Sequence, residues 1–382
     1  MKPLLSVVVP IYNVERYIEK CLHSIMNQTY ENVQIVLIDD GSIDLSGEIC
    51  DRFAMIDSRI EVIHQANYGS TAARKRGIEA SKGEYIIWVD SDDWIEPDYF
   101  EKMVKAAVKN KADLIVADLY FDIGEDSTVI TNKLPCGIYS TQNILEKILY
   151  YGSFFEYGIQ PHGVTKLFKA DLLRDVHKGL DLRIGIGDDA AVVYSYIFRS
   201  RNIVVTDICC YHYVQHADSL TKRKKKNEVQ GIEILISYLK NIFKNHDILM
   251  QHLAIYQNYL LVLRDLSYWD NKMLLYPYGG IEPQERIVIY GAGGMGQSLH
   301  SYCRGHNIMV VSWVDRNYTY YQSDGLPVIS FDEFQDRNEE WDYIFIANTN
   351  EQIAMGIKKQ LTTEGIEEKK IRWFSPQFLN GE

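Results

Sequence analysis

The segment GEYIIWVDSDD, residues 83–93, places a cluster of three carboxylates directly after an apolar run. The run, Tyr85–Val89, has the length and composition of a β-strand that is buried on both faces. Asp90, Asp92 and Asp93 then stand where such a strand ends. Ligands of open α/β sheets bind beyond the carboxyl ends of the strands. The segment therefore predicts an α/β fold with a polar site at this edge of the sheet.

Apolar strands and amphipathic helices alternate through the first third of the chain. This alternation is typical of a mostly parallel sheet sandwiched by helices. We predict strands at 5–9, 33–38, 60–64, 85–89 and 114–117, with helices at about 15–26, 46–53, 70–80 and 97–110. Residues from about 120 to 220 are less regular, and we expect them to form the acceptor half of a cleft.

The length of 382 residues favours more than one domain. We predict a first domain at 1–220, a helical connector at 221–283 and a smaller Rossmann-like α/β domain at 284–382. The connector is predicted from a long helical pattern. Its end is predicted from the segment Tyr276–Pro283, whose Gly and Pro residues are typical of a linker.

Charge and hydrophobicity exclude several classes of protein. A net charge of −12 argues against a nucleic-acid partner, since such proteins usually present a basic face. No apolar stretch approaches the ~20 residues that span a bilayer. Pro10 and Asn13 end the first apolar run too early for a signal peptide, and the six cysteines lack the spacing of a zinc site. We therefore predict a cytoplasmic protein.

The basic run KRKKK at Lys222–Lys226 is the sharpest local charge feature. Basic residues near an acidic membrane surface contribute about 1 kcal/mol each. The run thus predicts peripheral contact with the inner face of the cell membrane, which would suit a lipid-linked acceptor. A solvated loop or helix end is the alternative.

The acidic cluster Asp90–Asp93 needs a counter-charge, because carboxylates this close together repel one another. Carboxylate oxygens are the ligands that Mn²⁺ and Mg²⁺ prefer, and either ion can bridge phosphate oxygens. A calcium-binding EF-hand loop is excluded, since Trp94 and Ile95 occupy positions that need an oxygen ligand and a glycine. A solvated turn with Asp93 as a helix cap is the alternative.

Two further acidic motifs follow a predicted strand or precede a predicted helix. Asp39-Asp40-Gly41-Ser42 follows the second strand and can accept hydrogen bonds from a base or a ribose, with a generic turn as the alternative. Gly187-Asp188-Asp189 precedes an apolar stretch and can supply a general base if burial raises its pKa, with simple helix capping as the alternative. His212 is a further candidate metal ligand, and a core or surface residue is the alternative.

These motifs, in this order, make the chain resemble the family 2 glycosyltransferases of the GT-A fold over about residues 4–220. The matching segments are Val9–Asn13, Asp39–Ser42, Asn67–Gly77, Gly83–Tyr85 with Asp90–Asp93, Lys166–Phe168, Gly187–Asp189 and Tyr211–Tyr213 with Ser219. The resemblance implies an inverting, metal-dependent hexosyltransferase that moves a sugar from a nucleotide-sugar, most commonly a UDP-sugar, to a hydroxyl of a glycan or lipid-linked acceptor. It also implies a place in surface-polysaccharide synthesis.

The resemblance implies a role for each matching residue. The nucleotide-sugar site would comprise Pro10, Tyr12, Asn13, Asp39, Asp40, Asn67, Arg74, Gly77, Asp90 and Ser91. The Mn²⁺ or Mg²⁺ ligands would be Asp92 and Asp90, with Asp93 as a substitute. Asp189 would deprotonate the acceptor hydroxyl, with Asp188 as the other candidate. The chain departs from the family at Lys75, where Asn is frequent, and at Asp188, where Glu is usual.

A second glycine motif opens the last predicted domain. Gly291, Gly293 and Gly296 follow a predicted strand at 287–290, and Asp315 ends the next strand. Glycines that let a phosphate approach, with an acidic residue for a ribose, form the Rossmann fingerprint and predict a second nucleotide site. Two rival functions follow from this loop: an NAD(P)-dependent sugar-modifying oxidoreductase, or a nucleotide-binding scaffold without catalysis. The domain can also serve docking or assembly of a homo-oligomer.

Overall fold

The computed structural model of the chain describes residues 2–152, 156–216, 228–263, 281–337, 339–348 and 350–373. These residues form two compact units. The strands are β1 (Leu5–Ile11), β2 (Val33–Asp39), β3 (Ile60–His64), β4 (Tyr85–Trp88), β5 (Trp94–Ile95), β6 (Leu114–Ile123), β7 (Asp126–Ile130), β8 (Gly137–Tyr139), β9 (Lys166–Lys169), β10 (Ile203–Gln215), β11 (Arg286–Tyr290), β12 (Met309–Val314), β13 (Tyr343–Ile346) and β14 (Ile371–Trp373). The helices are α1 (Ile18–Met26), α2 (Ser46–Ile56), α3 (Ser70–Ala80), α4 (Tyr99–Asn110), α5 (Thr141–Ile144), α6 (Ala170–Lys178), α7 (Asp188–Arg199), α8 (Glu228–Phe243), α9 (Asp247–Leu263), α10 (Gly294–Gly305), α11 (Tyr318–Ser323), α12 (Phe331–Asp336) and α13 (Glu351–Thr363).

The first unit is built on a ten-stranded sheet with the strand order β3-β2-β1-β4-β9-β6-β10-β5, to which β7 adds at β6 and β8 at β10. Strands β3, β2, β1 and β4 run parallel, as the sequence predicts. Strand β9 is antiparallel to both β4 and β6, so the sheet is mixed beyond β4. Three antiparallel strands, β7 to β9, lie in the less regular segment. The turn from β6 to β7 is short, and so short a turn can join only antiparallel neighbours.

The parallel strands bring the predicted site residues to one edge of the sheet. Strands β2 and β4 are buried along their whole length, and β1 along almost all of it. Because these strands are parallel, their carboxyl ends meet at the same edge. Tyr12 follows β1, Asp39 ends β2, and Asp90 lies two residues beyond β4.

Helix α3 approaches β1 closely because Gly77 carries no side chain. A Cβ atom at Gly77 would lie 2.2 Å from Val8 Cγ1. Since protein interiors are close-packed, a bulkier residue would push the helix away from the sheet. The sequence analysis placed Gly77 in the nucleotide-sugar site. Its packing on Val8 also sets the position of Arg74, one helical turn earlier.

We expect Gly77→Ala to lower the free energy of unfolding by about 1–2 kcal/mol, because an overlap at 2.2 Å lies at the upper end of overpacking costs, about 2–3 kcal/mol, and the helix propensity of Ala offsets about 1 kcal/mol. Urea denaturation followed by circular dichroism measures the change. Gly356→Ala is the matched control, since Gly356 lies in helix α13 and a Cβ atom there meets no atom within 4 Å. Unchanged stability of the Gly77→Ala variant would contradict the close packing on Val8.

The second unit is a four-stranded parallel sheet with the order β12-β11-β13-β14. Alternate residues of β11 enter two apolar cores, with Ile287 and Ile289 in one and Val288 in the other. This division follows from the opposite directions of successive side chains on a strand. The sheet confirms the predicted small parallel α/β domain.

Helices α8 and α9 occupy the described part of the segment that was predicted as the connector. Helix α8 packs against α7 of the first unit. The domain boundaries at 220 and 283 stay predictions, and the basic run Lys222–Lys226 lies outside the described residues. Within the described part of the chain, no helix is both long enough and apolar enough to cross a membrane.

Candidate active site

The buried guanidinium of Arg74, on α3, joins three carboxylates that come from distant parts of the first unit. Its Nη2 donates to Asp90 Oδ1 at 2.8 Å. Its Nη1 lies 2.9 Å from both Asp188 Oδ2 and Asp189 Oδ1, at the start of α7. The sequence analysis named all four residues, and the structure brings them together. With three negative charges around one positive charge, the site favours an additional cation.

Asp189 has the environment of a general base. Its Oδ2 accepts a hydrogen bond from Gly163 N at 2.8 Å. Burial raises the pKa of Asp189 to about 6; Arg74 opposes this rise, while Asp188 and Asp90 add to it. A carboxylate with such a pKa is ionised near neutral pH and is a stronger base than an ordinary aspartate.

Asp188 has a different environment from its neighbour in sequence. Besides Arg74, its Oδ2 accepts hydrogen bonds from Ser70 Oγ at 3.1 Å and from Thr71 Oγ1 at 3.3 Å. Asp188 therefore joins the first turn of α3 to the first turn of α7. Of the two candidates for the base, the geometry favours Asp189.

The acidic cluster after β4 is fixed to strand β10 through Asp93. Tyr211 Oη donates to Asp93 Oδ2 at 2.6 Å, and Val214 N donates to Asp93 Oδ1 at 2.8 Å. The same Tyr211 oxygen accepts a hydrogen bond from Asp90 N at 3.1 Å. Burial, with the charges of Asp92 and Asp90, raises the pKa of Asp93 well above its usual range. Both oxygens of Asp93 thus hold the cluster in place.

Asp92 lies close to both other carboxylates of the cluster, since its charge raises the pKa of Asp90 and of Asp93. Burial is the largest cause of the raised pKa of Asp90, and Arg74 opposes it. Ser91, between Asp90 and Asp92, is buried. Carboxylates in this excess over nearby cations have the donor chemistry that Mn²⁺ and Mg²⁺ require.

His212 packs between aromatic side chains of the first unit. Its ring stacks on Trp94, with 3.6 Å between centroids, and on Tyr120, with 4.6 Å. Its Nδ1 lies 2.8 Å from Asp122 Oδ2. Neighbouring side chains of a strand point to opposite faces, and Tyr211 is the one that reaches the cluster. These contacts favour the core alternative for His212, and its role as a metal ligand stays a prediction.

Asp39 lies at the end of β2, where the sequence predicts a nucleoside contact. Its Oδ1 accepts a hydrogen bond from Ser42 N at 3.0 Å, and its Oδ2 lies 2.8 Å from His64 Nδ1. The hydrogen bond to Asp39 is the main cause of the raised pKa of His64, and Asp51 adds to it. The sequence analysis missed His64. The register of parallel strands would have indicated it, since His64 is the β3 partner of Asp39.

Asp40 shapes the loop that leads into α3. Its Oδ1 accepts from Gln65 Nε2 at 2.7 Å and from Tyr68 N at 3.0 Å, and its Oδ2 accepts from Gly69 N at 2.7 Å. Asn67 lies in this loop and is exposed. Asp40 therefore acts on the site through the loop backbone.

The loop after β1 completes this edge. Asn13 has a φ of +53°, which is uncommon for a residue other than glycine. Its N donates to Ser42 Oγ at 3.2 Å, and its Oδ1 accepts from Ile43 N at 2.9 Å. Pro10 and Tyr12 are half-buried beside it. The loops after β1 and β2 thus support each other around Asp39.

The glycine loop of the second unit is explained largely by packing. Gly291 has a φ of +116°, and a Cβ atom at Gly296 would lie 2.0 Å from Gly291 O. Around Gly293, the nearest atom to a Cβ would be Tyr321 Oη at 3.9 Å. Asp315 Oδ2 accepts a hydrogen bond from Ala292 N at 2.7 Å. Nucleotide binding by this loop stays a prediction.

Comparison with known proteins gives the family. The profile of Glycosyl transferase family 2 matches residues 6–176, and that of C2185-like, N-terminal matches residues 283–372. The protein EpsH of Bacillus subtilis (strain 168) is 33% identical over 226 residues, or 59% of this chain and 64% of EpsH. Glycosyltransferase GlyG of Streptococcus pneumoniae serotype 4 is 35% identical over 231 residues, or 58% of this chain and 74% of GlyG. The chain thus spans less than two thirds of EpsH.

A solved structure shows the same fold. The S. aureus TarS 1-349 structure in complex with UDP-GlcNAc matches with a TM-score of 0.55 and 19% identity, over 68% of this chain and 72% of the TarS chain. This likeness confirms the predicted GT-A-like α/β fold. Arg74 and Asp90 lie within residues 6–176, which the family profile matches, while Asp188 and Asp189 lie beyond that range. The chain belongs to glycosyl transferase family 2 and carries a C2185-like domain at residues 283–372.

Proposed function

We propose that the chain is an inverting, metal-dependent glycosyltransferase that moves a sugar from a UDP-sugar to a hydroxyl of a glycan or lipid-linked acceptor. The observation that carries this proposal is Asp189, a carboxylate whose pKa burial raises to about 6 and which Arg74 holds beside Asp90. Family membership supports it. The TarS structure contains UDP-GlcNAc, which supports a UDP-sugar as the donor here.

Asp189 is the group that would act on the acceptor. Its carboxylate takes the proton of the acceptor hydroxyl, whose oxygen forms a bond to the anomeric carbon of the sugar. The bond from that carbon to the diphosphate oxygen breaks, and its electron pair leaves with the nucleoside diphosphate. Attack from the side opposite to the leaving group inverts the anomeric configuration. Asp188 is less suited to this role, since it already accepts hydrogen bonds from Ser70, Thr71 and Arg74.

The donor would bind at the edge formed by the loops after β1, β2 and β4. Asp39, with Pro10, Tyr12 and Asn13 beside it, would contact the nucleoside. Asp90 and Asp92 fit Mn²⁺ or Mg²⁺, because they offer hard oxygen ligands in excess of the nearby positive charge. A bound ion would supply positive charge to the departing diphosphate. Arg74 fixes Asp90 for this purpose and binds Asp189 with the same guanidinium.

The proposed chemistry can be tested without knowledge of the acceptor. We expect slow, Mn²⁺- or Mg²⁺-dependent release of UDP from at least one UDP-sugar in a panel of nucleotide-sugars, because water can replace the acceptor. Removal of the ion with EDTA should stop the release, and added Mn²⁺ should restore it. A panel in which no nucleotide-sugar is bound or hydrolysed would contradict the proposal. An absorbance change of NAD(P)H with sugar substrates would instead favour the oxidoreductase.

We also propose a setting and a role for the second unit. The reaction would take place at the cytoplasmic face of the cell membrane, in the synthesis of surface polysaccharide, with Lys222–Lys226 near the lipid. The second unit would serve docking or assembly of a homo-oligomer. The rival nucleotide site is less favoured, because both Asp315 oxygens already accept hydrogen bonds from backbone N–H groups, those of Ala292 and Asn317.

A further inference from the structure

Lys166 is a fully buried lysine close to the proposed base. It begins β9, is 0% exposed, and donates from Nζ to His162 O at 3.1 Å and to Thr165 Oγ1 at 2.6 Å. Neither acceptor carries a charge. Burial lowers the pKa of Lys166 to about 7, and the charges of Asp189 and Asp118 oppose this change. Burying an ammonium costs free energy unless its charge is compensated, so the position calls for a physical explanation.

The residues that Lys166 binds form the turn that contacts Asp189. Gly163, in this turn, donates its N–H to Asp189 Oδ2 at 2.8 Å. A Cβ atom at Gly163 would lie 2.5 Å from the ring of Trp88 and 3.4 Å from Asp189 Cγ. The turn therefore lies as close to the base as its backbone allows. His162 and Thr165, the two ends of the turn, are the residues that the Lys166 ammonium joins.

The carboxylate of Asp189 is thus held on two sides. Arg74 contacts Oδ1, and the turn that Lys166 supports contacts Oδ2. We propose that Lys166 is a positioning residue, which holds the 162–165 turn against Asp189 and supplies a second positive charge near this carboxylate. This inference rests on the proposed role of Asp189 as the base. It gives a function to the Lys166–Phe168 motif, which the proposed chemistry otherwise leaves unused.

The proposal predicts how pH acts on the rate. Arg74, Asp188 and Asp90 act on the pKa of Asp189, and the charge of Asp189 in turn acts on the pKa of Lys166, in the same unit. A positive charge favours the ionised carboxylate, so removal of the ammonium should raise the pKa of Asp189. The base must be ionised to accept a proton. The rate falls at low pH, where the base becomes protonated, and this part of the pH–rate profile is its acidic limb. The acidic limb should therefore move to higher pH when the positive charge of Lys166 is removed.

The test compares Lys166→Met with Lys166→Arg by measuring kcat and donor KM between about pH 5 and 9. We expect Lys166→Met to lower kcat at least about tenfold near neutral pH and to shift the acidic limb up by about one pH unit, with little change in KM. Lys166→Arg should keep the limb in place, because it retains the charge. Lys169→Met is the control, since the Lys169 side chain is exposed on the same strand.

Two results would overturn the proposal. The first is an acidic limb that stays at the same pH in Lys166→Met. The second is an equal loss of kcat and an equal position of the acidic limb in Lys166→Met and Lys166→Arg, which would indicate that Lys166 acts through packing alone. Thr165→Val covers the case in which Lys166→Met does not fold, because it removes one acceptor of the ammonium with little change in shape. Because Thr165→Val retains the charge, we expect it to lower kcat while the acidic limb stays in place, and an unchanged kcat would count against the positioning role. Failure of the base assignment can be distinguished from failure of the Lys166 proposal. If Asp189 is not the base, the Asp189→Asn variant should retain the full rate of sugar transfer.

Discussion

Asp189→Asn is expected to lower the rate of sugar transfer by about 10²–10⁴-fold, the usual contribution of a general base. The amide has nearly the size of the carboxylate, and its one oxygen can still accept the Gly163 N–H. Its NH2 group then replaces Oδ1 and loses the contact with Arg74, which Asp90 and Asp188 continue to hold in place. It cannot take a proton from the acceptor hydroxyl. Binding of UDP, measured by calorimetry, should stay close to that of the parent, because the proposed nucleoside contacts lie around Asp39.

The parent enzyme should show an acidic limb near pH 6. The pKa of Asp189 is raised to about 6, so the base is ionised above this pH and protonated below it. The rate should therefore fall as the pH drops through this value, and the Asp189→Asn variant should lack this limb. Asp171→Asn is the matched control, since Asp171 is exposed on α6. If Asp189→Asn weakens UDP binding as much as Asp39→Ala does, the base role is wrong.

The strand ends of the site could be predicted because the apolar runs that precede them are continuous. Asp39 and Asp90 follow such runs, and the sequence fixes where each run stops. Arg74 was placed correctly because helix α3 has both of its boundaries, Ser70 and Ala80, where the pattern predicts them. The position of each of these residues at the edge of the sheet could thus be predicted, because that position depends only on the local sequence.

Apart from His64, whose strand follows that of Asp39 directly, the partners of these residues could not be predicted, because they depend on the register of strands that are distant in sequence. A shift of one residue reverses the face of a strand, and this decides that Tyr211 and not His212 reaches Asp93. The burial of Lys166 depends on β9 lying antiparallel between β4 and β6. No local pattern indicates this insertion, since β9 has only four residues. The sequence therefore identified Lys166 as part of a matching motif but did not indicate what its side chain does.

Asp92→Ala is expected to lower metal-dependent UDP release by about a thousandfold. Positive charge from a bound ion is worth several kcal/mol at a departing phosphate, and about 1.4 kcal/mol corresponds to a factor of ten in rate. Asp92 lies between Ser91 and Asp93 in the chain, and its removal takes away one carboxylate of the cluster, while Asp93 is already bound at both oxygens by Tyr211 and Val214. Titration of UDP release with Mn²⁺ measures the effect, and calorimetry with Mn²⁺ and UDP measures the loss of ion affinity directly.

Asp93→Asn is the variant that separates ion binding from folding. Asp93 accepts hydrogen bonds at both oxygens, from Tyr211 and Val214, and an amide can accept only one of them. The Asp93→Asn change should therefore lower the free energy of unfolding by about 1–3 kcal/mol. We expect UDP release to stay dependent on Mn²⁺. Asp92→Ala should show the opposite, with stability kept and Mn²⁺ dependence lost. If Asp93→Asn instead abolishes ion binding while Asp92→Ala retains it, the ligand is Asp93. We expect Asp92 to be the ligand, because both oxygens of Asp93 are already bound to residues of β10.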